Sequence, residues 1–281
     1  MKTLFRVLAV LPLPLLHGLG ALLGWVSWLA SSTYRKRFLE NARQAGYRTS
    51  DVLGAVAESG KLIAEVPRLW FGAQVRVRWD GDEHIRTALA NGKGIVFLTP
   101  HLGCFEVSAQ GFAATFGAIT VLYRPARKPW LRDLVDSARG RAQLATAPTT
   151  LAGVRQMLRA LKAGEAVGLL PDQVPPEGLG VWTPFFGRDA YTMTLSARLA
   201  QQTGATVLVA WAERLPWGQG YTTHVRPFAA GSNVLSSDPT LAAAQINARM
   251  EDLIRECPQQ YLWGYARYKQ PRREAVSSSA T

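Results

Sequence analysis

His101 and Glu106 are the two side chains whose types and spacing invite chemistry. A carboxylate that holds one imidazole nitrogen fixes the tautomer and leaves the other nitrogen free to act as a base. On one ideal helix, residues five apart lie roughly 140° around the axis, so the pair would not face each other there. They can meet if His101 precedes a helix and Glu106 reaches back from its first turn, with Gly103 supplying the flexible position between them. A buried structural histidine beside a solvated glutamate fits the same residues. Asp172 is a further acidic candidate, able either to orient a catalytic group or to cap the turn it sits in. Between His101 and Asp172 in sequence lie Arg124, Arg127, Lys128, Arg139 and Arg141. Guanidinium forks suit phosphate. Arg139 and Arg141 flank Gly140 at an expected helix end and can point into a site, whereas Arg127 and Lys128 read as a solvated basic face.

Two apolar runs must position these groups. Ile95, Val96, Phe97 and Leu98 form a continuous run bounded by Gly94 and Pro100, the pattern of a strand covered on both faces. Pro100 takes the chain out of the ladder. His101 therefore falls just beyond the strand's C-terminal end, where open α/β sheets bind their ligands. Residues 166–170 repeat the pattern, and Pro171-Asp172-Gln173 leaves that strand at the same sheet edge. Further strands are expected at 75–79, 118–123, 206–212 and 221–226. Helices are expected at 32–45, 49–71, 82–91, 106–114, from 130, and at 152–163, 192–203 and 238–256. Residues 174–189 read as a Pro/Gly-rich loop whose Trp182, Phe185 and Phe186 pack in the core or form a lid. Strands alternating with helices imply a single α/β domain with a largely parallel central sheet flanked by helices.

The formal net charge of +12 and pI near 10.2 call for an anionic partner. No Gly-rich phosphate loop, zinc spacing or RNA-binding signature supports nucleic acid. His101 and Glu106 lack the spacing of a zinc-binding helix, so no metal is expected. Cys104 and Cys257 stand far apart, which fits a reducing compartment and excludes a disulfide framework. Residues 4–30 are nearly all apolar and long enough to span a bilayer, but Pro12, Pro14 and several glycines point to a kinked or interfacial helix. A signal peptide competes, although no disulfide pattern follows. Arg35, Lys36, Arg37, Arg43 and Arg48 come next and favour the cytoplasmic side. The expected organisation is a retained anchor at 1–31, a catalytic body at 32–272 and a disordered tail at 273–281.

His101-x4-Glu106 resembles the H-x4-D/E motif of the glycerolipid acyltransferase superfamily. More specifically, the chain resembles the bacterial late (lauroyl/myristoyl) acyltransferases of lipid A biosynthesis. The apolar N-terminus, Thr99 to Glu106, Tyr123-Arg124-Pro125, Arg139-Gly140-Arg141 and Pro171-Asp172-Gln173 carry the likeness. Pro184-Phe185-Phe186-Gly187, Gln260-Tyr261-Leu262-Trp263 and Arg267-Tyr268-Lys269 extend it. Pro100 stands where many members have asparagine. The resemblance implies transfer of a fatty acyl chain from acyl carrier protein to a hydroxyl of a lipid A precursor, with no cofactor and no covalent intermediate. It makes His101 the general base, Glu106 its support and Arg139 a holder of acceptor phosphate or oxyanion, and it matches Asp172 to a later acidic position. Substrate contacts are expected from Arg124, Arg141 and Gln173. It also implies the bacterial inner membrane, with the catalytic body on the cytoplasmic face. The same motif serves lysophospholipid and glycolipid acyltransferases. A non-catalytic basic membrane protein that binds anionic lipid or nucleic acid is the alternative of another class.

Overall fold

Pro12 splits the apolar N-terminus. The residue before a proline is driven out of the helical region, so the stretch folds as two helices, α1 (Lys2–Val10) and α2 (Leu13–Ala30), joined at Leu11-Pro12. The computed structural model describes residues 2–123, 143–229 and 235–273. Among them α2 is the one helix long and apolar enough to cross a membrane. Two short helices, α3 (Ser32–Gln44) and α4 (Thr49–Val52), lead to α5 (Gly54–Phe71).

Helix α2 does not stand free. Its inner face, Leu16, His17, Gly20 and Gly24, is buried, while Leu15, Leu19, Leu22, Val26 and Leu29 remain exposed. The contact with α5 is backbone on backbone. A Cβ added at Gly60 would lie 1.9 Å from the Gly20 carbonyl oxygen, and one at Gly24 would lie 2.2 Å from that of Val56. Small residues one turn apart permit this approach.

The body follows as β1 (Val77–Asp80), α6 (Asp82–Ala90), β2 (Ile95–Leu98), α7 (Phe105–Thr115), β3 (Ile119–Tyr123) and β4 (Leu144–Pro148). It continues with α8 (Leu151–Lys162), β5 (Ala166–Leu169), β6 (Gly180–Phe185), β7 (Arg188–Met193) and α9 (Leu195–Thr203). It closes with β8 (Thr206–Arg214), β9 (Tyr221–Pro227) and α10 (Pro239–Glu256). Seven of the described strands form one sheet in the order β1-β9-β8-β2-β5-β3-β4. Strands β8, β2, β5, β3 and β4 are parallel; β9 runs antiparallel to β8 and pairs in parallel with β1. Every residue of β2 and β5 is buried, as their uninterrupted apolar runs require.

Two elements differ from the expectation. Residues 180–193 form an antiparallel hairpin rather than a loop, so the following helix starts at Leu195 and not at 192. Phe186 and Gly187 both take positive φ, 48° and 73°, which is the twist a two-residue hairpin turn needs. Trp182, Thr183, Phe185, Tyr191 and Thr192 are strand formers; Pro175, Pro176 and Pro184 mask that signal. Strand β4 was not expected either, because Leu-Ala-Thr-Ala-Pro offers no apolar run and lies at the sheet's edge. The helix expected from 130 and residues 274–281 of the expected tail lie outside the described residues.

Gly60→Ala forces α2 and α5 apart. It is expected to cost about 1–3 kcal/mol, the range for an overpacked contact, read as a lower thermal midpoint of the detergent-solubilised protein. A wild-type midpoint would contradict the backbone contact.

Candidate active site

The register between β2 and β5 builds the site. Leu98 is paired with Leu169. Three residues further along each chain, past Pro100 and Pro171, His101 and Asp172 come side by side. Asp172 is almost wholly buried and holds His101 twice, with Oδ1 2.7 Å from ring Nδ1 and Oδ2 accepting from the backbone N–H at 2.9 Å. Burial alone would raise the Asp172 pKa. The neighbouring His101, its two hydrogen bonds and the charge of Arg267 outweigh that and hold the carboxyl below its ordinary value. A carboxylate on Nδ1 leaves the proton there and the lone pair on Nε2. The Gln173 amide nitrogen donates to that lone pair at 3.0 Å. The ring packs edge-on against Phe105, with centroids 4.9 Å apart.

The turn itself is held from behind. Leu262 N–H donates to the His101 carbonyl, Gly103 N–H to the Gln260 carbonyl and Cys104 N–H to the Ala212 carbonyl. Gly103 has φ 61°, and a Cβ there would lie 1.9 Å from the Ala212 oxygen, so only glycine fits.

Glu106 lies in the first turn of α7, where its Oε2 accepts from Trp70 Nε1 at 3.2 Å. The carboxylate hydrogen-bonded to the imidazole is therefore that of Asp172 and not of Glu106, because inter-strand register rather than the local turn sets which group reaches Nδ1. Of the two readings left open for Asp172, the structure has the one that orients the histidine. Gln173, expected at the substrate, lies on the histidine's free nitrogen. Trp70 was not singled out in the sequence; it arrives from α5, 36 residues away, and no local pattern marks it. Arg124, Arg139 and Arg141 lie outside the described residues.

His101, Glu106 and Gln173 open on a cavity of about 780 Å³. Phe105, Leu151, Val154, Leu179 and Met193 give it apolar walls, and Arg198 and Lys269 add cationic groups. At Phe105, Ala109, Val121 and Leu170 it meets a smaller apolar chamber of about 50 Å³ that runs toward Phe97, Phe112 and Trp79. Such a space fits a long apolar chain next to a polar reacting group.

Fold and site together define an α/β protein with an aspartate-bound histidine at the C-terminal edge of a parallel sheet. The chain matches the family described as bacterial lipid A biosynthesis acyltransferase over residues 3–270 and belongs to it. It is 31% identical over 227 residues to a lipid A biosynthesis lauroyltransferase of Escherichia coli, across 78% of this chain and 71% of that protein. It is 28% identical over 215 residues to a lipid A biosynthesis palmitoleoyltransferase of Escherichia coli, across 75% and 68%. With a lipid A biosynthesis acyltransferase of Haemophilus influenzae it shares 26% identity over 217 residues, across 72% and 66%. The protein is thus an acyltransferase of lipid A biosynthesis.

A carboxyl whose pKa is lower folded than unfolded contributes stability that is present above the unfolded value and lost as pH falls through the folded one. For Asp172 that loss begins below about pH 4. Acid unfolding should therefore be steeper in the wild type than in Asp172→Asn, followed by circular dichroism. Equal slopes would contradict a charged, histidine-bound Asp172.

Proposed function

We propose that the protein transfers a fatty acyl chain from the thioester of acyl carrier protein to a hydroxyl of a lipid A precursor, with His101 as general base. The observation that carries this reading is the Asp172–His101–Gln173 chain, which turns a lone-pair nitrogen toward a mostly apolar cavity. The acceptor hydroxyl takes the place of the Gln173 amide and donates its proton to Nε2. Its oxygen attacks the thioester carbonyl, the C–S bond breaks, and the imidazolium returns the proton to the leaving thiolate. Asp172 holds the ring in one tautomer and offsets the transient positive charge. Glu106, fixed by Trp70, adds negative charge at the cavity wall, which favours the same imidazolium. The role implied for Arg139, stabilising the oxyanion or binding phosphate, belongs to this proposal as well.

The walls suit both substrates. The apolar branch past Phe105 accepts the acyl tail, and Arg198 and Lys269 face the phosphates of the acceptor. The exposed leucines and Val26 of α2 face the bilayer that holds the acceptor, with residues 1–31 as the anchor and 32–272 as the catalytic body. In this reading the body lies on the cytoplasmic face of the bacterial inner membrane.

Mass spectrometry tests it. The detergent-solubilised protein is mixed with acyl carrier proteins of several chain lengths and with two acceptors, a tetra-acylated, sugar-decorated lipid A precursor and lysophosphatidic acid. The expected result is one added acyl chain on the lipid A precursor, with the rate in His101→Ala lower by roughly 10²–10⁴, the worth of a general base. Acylation of lysophosphatidic acid alone, or full activity of a folded His101→Ala, would overturn the proposal.

A further inference from the structure

Glu65 on α5 is fully buried, yet it sits among charges. The Arg214 guanidinium grips it from the end of β8, Nε to Oε2 at 2.9 Å and Nη2 to Oε1 at 2.5 Å. The Tyr221 hydroxyl donates to Oε2 at 2.8 Å, and His17 Nε2 of α2 lies 3.1 Å from the same oxygen. Arg214 also reaches Glu58 at 2.5 Å and the Gly103 carbonyl at 3.4 Å. Burial opposes the charge on Glu65, but the adjacent Arg214 overrides it and brings the carboxyl down to about 2.

A buried ion pair is weak grounds for stability, since removing two charges from water costs about what their attraction returns. Its position is more telling. Arg214 holds the turn two residues beyond His101 through the Gly103 carbonyl. The Arg214 backbone exchanges two hydrogen bonds with the Gln260 side chain, and the Gln260 carbonyl in turn accepts from Gly103 N–H. Cys104, the next residue, is buried against Glu65 and Arg214. Gly103 has no room to yield, because Ala212 lies against its Cα. His17 brings the apolar helix α2 into the same cluster. None of these groups lines the catalytic cavity.

We propose that His17, Glu65 and Arg214 are positioning residues that tie the seating of helix α2 to the geometry of the His101 turn. The proposal rests on His101 as the base, and its test includes a readout that needs no turnover. In a Cys257→Ser background Cys104 is the sole thiol, and it reacts with an added thiol reagent only when the turn opens. Arg214→Lys keeps the positive charge but loses the fork. It is expected to lower kcat by about 10²-fold, the worth of a misplacement of about 1 Å, with KM within about twofold of wild type. Cys104 labelling in the folded variant should rise above the rate set by global unfolding. His17→Ala leaves the Glu65–Arg214 pair intact and should move kcat and labelling in the same directions by a smaller factor. It decides the matter should Arg214→Lys fail to fold. Unchanged kcat in a folded variant, or labelling that follows global unfolding alone, would overturn the proposal. If His101→Ala proves active, the base assignment fails while the labelling still reports on the turn.

Discussion

The hydrogen bond between His101 Nδ1 and Asp172 exists because two parallel strands share one register. Strands β2 and β5 are paired along their full four residues and buried on both faces. A slip of one residue would turn every side chain to the opposite face. It would also carry Asp172 past the imidazole. The apolar layers around Val96, Leu98, Val167 and Leu169 therefore hold the His101–Asp172 geometry as well as the fold. Each strand then meets a proline two residues after its end, which makes the two segments leave the sheet at the same level.

Behind that edge lies a second layer of constraint. The segment from Gln260 to Leu262 and the end of β8 bind the His101–Cys104 turn through backbone hydrogen bonds, which tie the loop to the neighbouring chain. The polar groups in this layer are nearly all paired, as burial demands. Helix α2 closes it from outside by laying glycines against α5 and keeping its leucines outward. The same helix thus presents an apolar face to the surroundings and a histidine to the interior.

Much of this could be read in the sequence. The buried strands announced themselves as apolar runs ended by proline, and they placed His101 and Asp172 at one edge. The partner of the imidazole could not be read so easily. His101 and Glu106 are close in sequence and suggest each other, whereas the bond to Asp172 spans 71 residues and depends on strand register, which no local spacing encodes. The 180–193 hairpin was hidden by prolines that sit at or before its first strand, and β4 by an alanine-rich composition. Pro12 and the glycines of α2 hinted at a kinked helix, but the backbone contact with Gly60 is tertiary. Arg139, given a role by resemblance, lies outside the described residues.

The most direct measurement is the protonation of the two His101 nitrogens by ¹⁵N NMR on histidine-labelled protein in detergent, near pH 8, with His101→Gln to assign the signal. A carboxylate on Nδ1 predicts a protonated Nδ1 and a bare, base-competent Nε2, with the Nδ1–H signal weakened in Asp172→Asn. A proton resident on Nε2, unaffected by Asp172→Asn, would contradict the pairing from which the proposed mechanism starts.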